Sequence, residues 1–149
     1  MYYVAYGSNM NVDQMKVRCP EAKAVGTTFL EGYRLLFRGN LGFAYLTVEK
    51  QEGYKVPLAV WDVSEKDINN LDHYEGYPDF YRKKTMKFVV SGKEIEAFIY
   101  MMNDRYDLAI PSYSYYQGCL EGYESFGLDT DYLKQAYDCS RLKQNWFLG

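Results

Sequence analysis

Residues 2–14 read YYVAYGSNMNVDQ, in which an apolar run leads through a glycine-containing turn into a polar segment. The run 2–5 predicts a short strand that is buried on both faces. Asn11 is a typical helix N-cap, and Gln14 stands three residues later, where the partner of a capping box belongs. The order predicted here is therefore a strand, a tight turn at Gly7 and the start of a helix.

This junction has two interpretations. Unpaired backbone N–H groups and the positive end of a helix dipole would together suit an anion such as a carboxylate. The alternative is a tight turn in which Gly7 serves backbone geometry only. The residues of the junction, taken alone, favour the alternative.

The composition and length of the chain indicate an ordinary folded protein. A chain of 149 residues, 48% hydrophobic and 25% charged, suits one domain over residues 1–149 with a sizeable core. The net charge of −3 and the lack of a basic stripe argue against nucleic acid as a partner. No apolar run reaches transmembrane length and no signal-peptide pattern opens the chain, so no membrane partner is expected. The three widely spaced cysteines fit no metal or redox motif, which favours a reduced, cytoplasmic setting.

The segment after Ser64 predicts a capped helix that ends in a carboxylate. Ser64 is a good N-cap, and Asp67 follows it by three residues. Leu71 and Glu75 lie four residues apart, so their side chains share the core-facing side of the helix. Gly76 stands where a C-cap glycine is expected.

Glu75 is the candidate for proton transfer. Loss of hydration on the apolar helix face and the negative end of the helix dipole both raise its pKa above the reference value of about 4.3. A carboxyl group raised in this way is a useful general base and acid near neutral pH. The alternative is a glutamate that extends to the surface at a fraying helix end. Helix periodicity alone leaves these two interpretations even.

Other chemistry-bearing residues are weaker candidates. His73 is the only histidine and falls on the polar helix face, so a histidine-based triad or a His-rich metal site is excluded by count. A nucleophilic cysteine would need a base beside it, and His73 is far from every cysteine in sequence. Tyr113, Tyr115 and Tyr116 could supply a hydroxyl to a pocket, although helix packing is the better explanation for at least one of them.

The rest of the chain predicts strands first and helices last. Strands are predicted over 24–37, 43–49, 55–63, 81–90 and 93–101. Further helices are predicted over 12–18, from the segment 111–115 to residue 123 or 124, and over 132–137. Glu52-Gly53 reads as a turn between two strands. The predicted fold class is α+β, a single domain with a mixed, curved, barrel-like sheet and flanking helices.

Four short segments, in this order along the chain, resemble the γ-glutamylcyclotransferase-like (AIG2-like) family. They are Tyr6-Gly7-Ser8-Asn9, Arg18-Cys19-Pro20-Glu21-Ala22, Leu71-Asp72-His73-Tyr74-Glu75-Gly76 with Tyr81 behind it, and Pro111-Ser112-Tyr113-Ser114-Tyr115. Each segment is weak alone, but together they are specific and span most of the chain. The resemblance implies a γ-glutamylcyclotransferase-like fold in which Glu75 is catalytic. It also implies a substrate site at Tyr6, Gly7, Ser8, Asn9, Met10 and Tyr115.

The reaction that this resemblance implies is an acyl transfer within a small γ-glutamyl substrate, with lyase-like release of 5-oxoproline and without metal or cofactor. Tyr-Gly-Ser-Asn resembles the branch of the family that acts on γ-glutamyl-amino acids. Two alternatives stay open: a non-catalytic binding protein of the same fold, or an enzyme for a specialised γ-glutamylated biosynthetic intermediate. Glu75 argues against the first. The apolar end Trp146-Phe147-Leu148 packs on its own core or contacts a second copy, so a monomer and a homodimer are both possible.

Overall fold

The structure, a computed structural model, describes the backbone of residues 1–148 and the side chains of residues 1–143. The strands are β1 (Tyr2–Ala5), β2 (Lys23–Asn40), β3 (Phe43–Asp62), β4 (Tyr81–Val90) and β5 (Lys93–Met102). The α-helices are α1 (Val12–Arg18), α2 (Glu65–Glu75), α3 (Tyr113–Ser125) and α4 (Asp131–Leu148), and a single 3₁₀ turn covers Ser8–Met10. None of the helices in the described part of the chain is both long and apolar enough to cross a membrane.

The five strands form one mixed sheet in the order β2-β3-β1-β5-β4. The short β1 lies at the centre, antiparallel to β3 and parallel to β5. Curvature brings the two edge strands together, where Thr28 Oγ1 on β2 donates to the carbonyl of Val89 on β4 over 2.8 Å. No β2–β4 backbone ladder joins the described residues, so the sheet stays open. The predicted α+β class with a curved mixed sheet and flanking helices is confirmed.

The turn predicted at Glu52-Gly53 is wrong. β3 continues through this point as one strand, and the pairs Tyr33↔Lys50 and Glu31↔Lys55 enclose a bulge. Gly53 has φ of +87°, which glycine adopts easily in a bulge as well as in a turn. The two strands predicted on either side are therefore halves of one strand, which forms a long hairpin with β2.

Helix α2 has the predicted caps at both ends. The Ser64 hydroxyl accepts from Asp67 N–H over 3.1 Å, and the Asp67 carboxylate accepts from Ser64 N–H over 3.2 Å. Gly76 has the left-handed conformation of a C-cap, with φ of 65°. Because Leu71 is fully buried and the helix ends at Glu75, the carboxyl group is held at a defined edge of the core.

Helix α1 is capped only in part as predicted. The Asn11 side chain accepts from Gln14 N–H over 3.1 Å. The Gln14 side chain does not complete a capping box, because its oxygen accepts from Arg18 over 2.8 Å instead. The predicted capping box is therefore wrong, and Gln14 belongs to a different network.

Helix α3 packs directly on the turn that follows β1. A Cβ at Gly122 would lie 2.7 Å from the carbonyl carbon of Met10, so only glycine permits this approach. The Tyr123 hydroxyl donates to the carbonyl of Tyr6 over 2.9 Å. This contact places the start of α3, with Tyr115, beside the turn. The predicted packing of Trp146-Phe147-Leu148 lies outside the side chains that the structure describes.

Candidate active site

A cavity of about 340 Å³ lies where the turn after β1, the end of α2 and the start of α3 meet. Its lining residues are Tyr3, Tyr6, Gly7, Ser8, Asn9, Tyr45, Leu46, His73, Tyr74, Glu75, Gly76, Phe80, Tyr81, Tyr100 and Tyr115. The fold thus brings six of the seven predicted site residues into one cavity. Met10, the seventh, does not line it.

One side of the cavity, the acid wall, consists of Asn9 and Glu75. The Asn9 amide nitrogen donates to Glu75 Oε1 over 3.0 Å and to the Tyr3 hydroxyl over 2.9 Å. The Asn9 amide oxygen accepts from the Arg18 guanidinium. Arginine only donates and a carboxylate only accepts, so the amide oxygen must face Arg18 and the nitrogen must face Glu75.

Burial raises the pKa of Glu75 to about 7, although the positive charge of Arg18 and the hydrogen bond from Asn9 oppose the effect. The side chain is half-buried at the cavity wall, and the carboxyl group is largely removed from water. A group with this pKa is present in both protonation states near neutral pH, as a proton-transfer group should be.

A second group of lining residues, the tyrosine wall, consists of Tyr6, Tyr81 and Tyr115. Tyr6 donates to the carbonyl of Tyr100 over 2.6 Å, and Tyr81 donates to the carbonyl of Leu46 over 2.7 Å. The Tyr115 oxygen accepts from Leu46 N–H over 3.1 Å, which uses one lone pair of the hydroxyl, and Cys119 is a side-chain neighbour of the same hydroxyl. Burial raises the pKa of all three hydroxyls far above the neutral range, so they stay protonated.

The turn offers fewer backbone donors than the sequence predicts. Met10 N–H donates to the carbonyl of Gly7 over 3.0 Å, and the Met10 side chain is fully buried in the core. Among the hydrogen bonds between described residues, the N–H groups of Gly7, Ser8 and Asn9 donate none. The anion site predicted over Gly7–Met10 is therefore reduced to three N–H groups on the cavity wall.

The tyrosine group at the start of α3 divides as the packing alternative predicts. Tyr115 reaches the cavity, whereas Tyr113 is 82% exposed. Tyr116 packs against Phe37, with ring centroids 6.0 Å apart. One of the three tyrosines therefore belongs to the site.

Sequence reasoning missed three residues of the site: Tyr3, Tyr81 and Arg18. Arg18 and Tyr81 fall within the motifs that carry the family resemblance, but nothing in their local sequence assigns them a role. Tyr3 and Tyr81 are two of 17 tyrosines, and no local pattern separates them from the others. Only the pairing of distant strands identifies them.

The described side chains include no group of three or more His, Cys, Asp or Glu residues placed to hold a metal ion. His73 lines the cavity but is exposed, as predicted for the polar face of α2. The expectation that the site works without metal or cofactor stays a prediction.

The comparison with known families identifies the class of protein. The family model described as "Gamma-glutamyl cyclotransferase, AIG2-like" matches residues 3–118. This match covers most of the chain and includes the turn, Glu75 and Tyr115, so the chain belongs to this family. The resemblance carried by the sequence motifs is confirmed.

Individual relatives agree with the family match at low sequence identity. The gamma-glutamylcyclotransferase of Homo sapiens is 29% identical over 139 residues, an alignment that covers 87% of this chain and 73% of that protein. A Methanocaldococcus jannaschii protein provisionally named a gamma-glutamylcyclotransferase is 35% identical over 69 residues, which cover 46% of this chain and 58% of that protein. A solved structure of a gamma-glutamyl cyclotransferase has a TM-score of 0.81 at 26% identity and covers 91% of this chain and 85% of its own.

Proposed function

We propose that this protein is a γ-glutamyl cyclotransferase in which Glu75 transfers the proton. The proposal rests on one observation above the rest: a carboxyl group with a pKa of about 7 is held by Asn9 on the wall of the cavity that most of the predicted site residues line. Membership of the family and the names of its relatives support gamma-glutamylcyclotransferase-like activity. The substrate and the individual roles below are our proposals.

In the proposed reaction, the α-amine of a γ-glutamyl group attacks its own γ-carbonyl carbon. A carbon–nitrogen bond forms and closes a five-membered ring, and the attacking nitrogen gives up a proton to the Glu75 carboxylate. Glu75 then returns this proton to the leaving nitrogen as the original amide bond breaks. The products are 5-oxoproline and an amine or amino acid, and Glu75 ends as it began. General acid–base catalysis of this kind contributes about 10²–10⁴-fold.

Positioning supplies the second part of the catalysis. The nucleophile and the carbonyl belong to one substrate, so the cavity has only to fold the substrate into an attack geometry. Well-oriented reactions within one molecule gain up to about 7–11 kcal/mol relative to reactions between separate partners. The tyrosine wall suits this task because its hydroxyls are fixed to strand backbone and stay neutral.

Two anionic groups of the substrate compete for the free donors. These donors are the N–H groups of the turn at Gly7, Ser8 and Asn9 and the phenolic proton of Tyr115. They would bind the substrate α-carboxylate in one arrangement and the developing oxyanion in the other. Both arrangements use the same residues, so the assignment of the reaction does not depend on the choice.

The test is detection of product from a substrate panel. Purified protein is incubated with γ-glutamyl-amino acids, γ-glutamyl-amines and glutathione, and 5-oxoproline is measured by mass spectrometry. We expect 5-oxoproline from at least one panel member, none above background from Glu75→Gln, and normal turnover from Glu124→Gln, an exposed glutamate on α3. Full turnover in Glu75→Gln would overturn the role of Glu75. No product from a properly folded protein on any substrate would favour a binding role or a specialised substrate.

A further inference from the structure

Arg18 is held on three sides beside the candidate site without lining the cavity. Its guanidinium donates to the Asn9 amide oxygen and, over 2.8 Å, to the Gln14 amide oxygen. The same guanidinium lies over the ring of Tyr74 at 3.6 Å from the centroid. The Tyr74 hydroxyl in turn lies 3.3 Å from the Ser8 hydroxyl. The arginine therefore contacts α1, α2 and the turn at once.

This geometry connects Arg18 to Glu75 through one side chain. The Asn9 amide nitrogen is held by Glu75 and Tyr3, and the arginine is the partner of the amide oxygen. Without the arginine, the amide would be held from its nitrogen side only. The Asn9 backbone is separately fixed, because the Trp61 indole donates to its carbonyl over 3.0 Å. The arginine therefore adds the second hold on the amide.

We propose that Arg18 is a positioning residue, which fixes the Asn9 amide against Glu75 and places a permanent positive charge behind the proton-transfer group. This proposal rests on the proposed function of Glu75 but concerns a residue that does not touch the substrate. Arginine suits the task because its planar guanidinium donates in two directions and stacks on an aromatic ring at the same time.

The electrostatic consequence has a definite sign. Burial raises the pKa of Glu75, and the charge of Arg18 limits the rise. The other titratable groups facing the carboxyl group are hydroxyls whose pKa lies far above neutral, on Tyr3, Tyr6, Tyr81, Tyr100 and Tyr115. Asp72 is paired with Lys83 and accepts from the Tyr100 hydroxyl, and the exposed His73 lines the cavity. Loss of Arg18 should therefore raise the pKa of Glu75 further.

The experiment compares Arg18→Met, Arg18→Lys and the control Arg34→Met. Arg34 is also stacked on a tyrosine, with its guanidinium 5.0 Å from the Tyr54 ring centroid, but Tyr54 does not line the cavity, whereas Tyr74 does. For each variant, the Glu75 carboxyl group is titrated by carbon NMR, with Glu75→Gln used to assign the signal. The pH profile of kcat/KM is measured in parallel, and again in the His73→Gln background to separate any contribution of the histidine.

We expect Arg18→Met to move the carboxyl titration and the rising limb of the profile upward by about one pH unit. Arg18→Lys keeps the positive charge but loses the pair of hydrogen bonds that the guanidinium donates. In this variant the Glu75 carboxyl group should titrate near the wild-type pH, and activity should still fall several-fold. Arg34→Met should change neither readout.

Two results would overturn the proposal. One is an unshifted carboxyl titration in folded Arg18→Met; the other is wild-type activity in folded Arg18→Lys. If Arg18→Met does not fold, Arg18→Lys decides alone, and an unchanged kcat in that variant would reject the positioning role. The NMR titration needs no turnover, so a failure of the proposed reaction remains distinguishable from a failure of this inference.

Discussion

The two walls of the cavity hold their polar groups by different means. On the acid wall, Glu75 is held by another side chain, Asn9, which is itself held by Arg18. On the tyrosine wall, each hydroxyl is bonded to strand backbone. A group held by backbone is fixed in place, and burial keeps the hydroxyls neutral at working pH. Of the groups on these two walls, only the Glu75 carboxyl group can exchange a proton near neutral pH, so one wall suits chemistry and the other suits positioning.

The largest effect is expected from Glu75→Gln. Glutamine keeps the size of the side chain and the hydrogen bond from the Asn9 nitrogen, but it cannot take up a proton. We expect kcat/KM to fall by about 10²–10⁴-fold with the circular dichroism spectrum unchanged. Glu124→Gln on the surface of α3 is the matched control. A fall in kcat/KM of less than tenfold would contradict the assignment of proton transfer to the acid wall.

Tyr115→Phe tests the tyrosine wall and should give the next largest effect. The substitution removes the phenolic proton that we propose binds an anionic group of the substrate, and a hydrogen bond to a charged group contributes about 1.5–3 kcal/mol. We therefore expect kcat/KM to fall by about 10–100-fold with the pH dependence unchanged. Tyr113→Phe, at a position 82% exposed on the same helix, should behave as the wild type. A shifted pH profile in Tyr115→Phe would mean that this wall takes part in proton transfer.

The buried Glu75 carboxyl group should also lower the free energy of unfolding above neutral pH. The folded-state pKa of Glu75, about 7, lies above the unfolded value, so the folded protein holds more protons between about pH 4.5 and 7. The free energy of unfolding therefore falls as pH rises through this window. At pH 8 we expect Glu75→Gln to be more stable than the wild type by on the order of 1–3 kcal/mol, and the gain should vanish near pH 4.5. Urea unfolding at both pH values measures the difference, and an equal gain at both would contradict the assigned pKa.

Local signals in the sequence were enough to place Glu75 at the core-facing end of α2, although the family resemblance was needed to single it out as the catalytic candidate. Ser64, Asp67 and Gly76 define where α2 begins and ends, and helix spacing then points Glu75 toward the core. The same kind of signal misled at Glu52-Gly53, because a glycine with positive φ serves a bulge as well as a turn. At Gln14 it misled again, since a side chain near a cap can bind a residue further along the helix.

The remaining parts of the site depend on contacts that no local pattern carries. The Tyr81 hydroxyl donates to the carbonyl of Leu46, which is 35 residues away in sequence. Asn9 donates to Glu75, which is 66 residues away. Such pairs arise from strand order, in which β1 lies between β3 and β5. The family resemblance named Asn9 and Tyr115 without their partners, so the division into two walls appears only in the folded structure.

The smallest effect is expected where the turn touches the tyrosine wall, in Gly7→Ala. Gly7 has φ of −130°, outside the positive-φ region, and little free space surrounds the position where a Cβ would lie. An added Cβ would lie 3.2 Å from the Tyr115 hydroxyl oxygen, which must shift by a few tenths of an ångström. We expect KM to rise by about 3–10-fold with kcat nearly unchanged, because the shift weakens substrate positioning and leaves Glu75 in place. Gly26→Ala, whose Cβ would make an ordinary 3.4 Å contact with Val90 away from the cavity, is the control. A fall in kcat at constant KM would instead mean that the hydroxyl acts only in the transition state, as expected if it binds the oxyanion rather than the ground-state carboxylate.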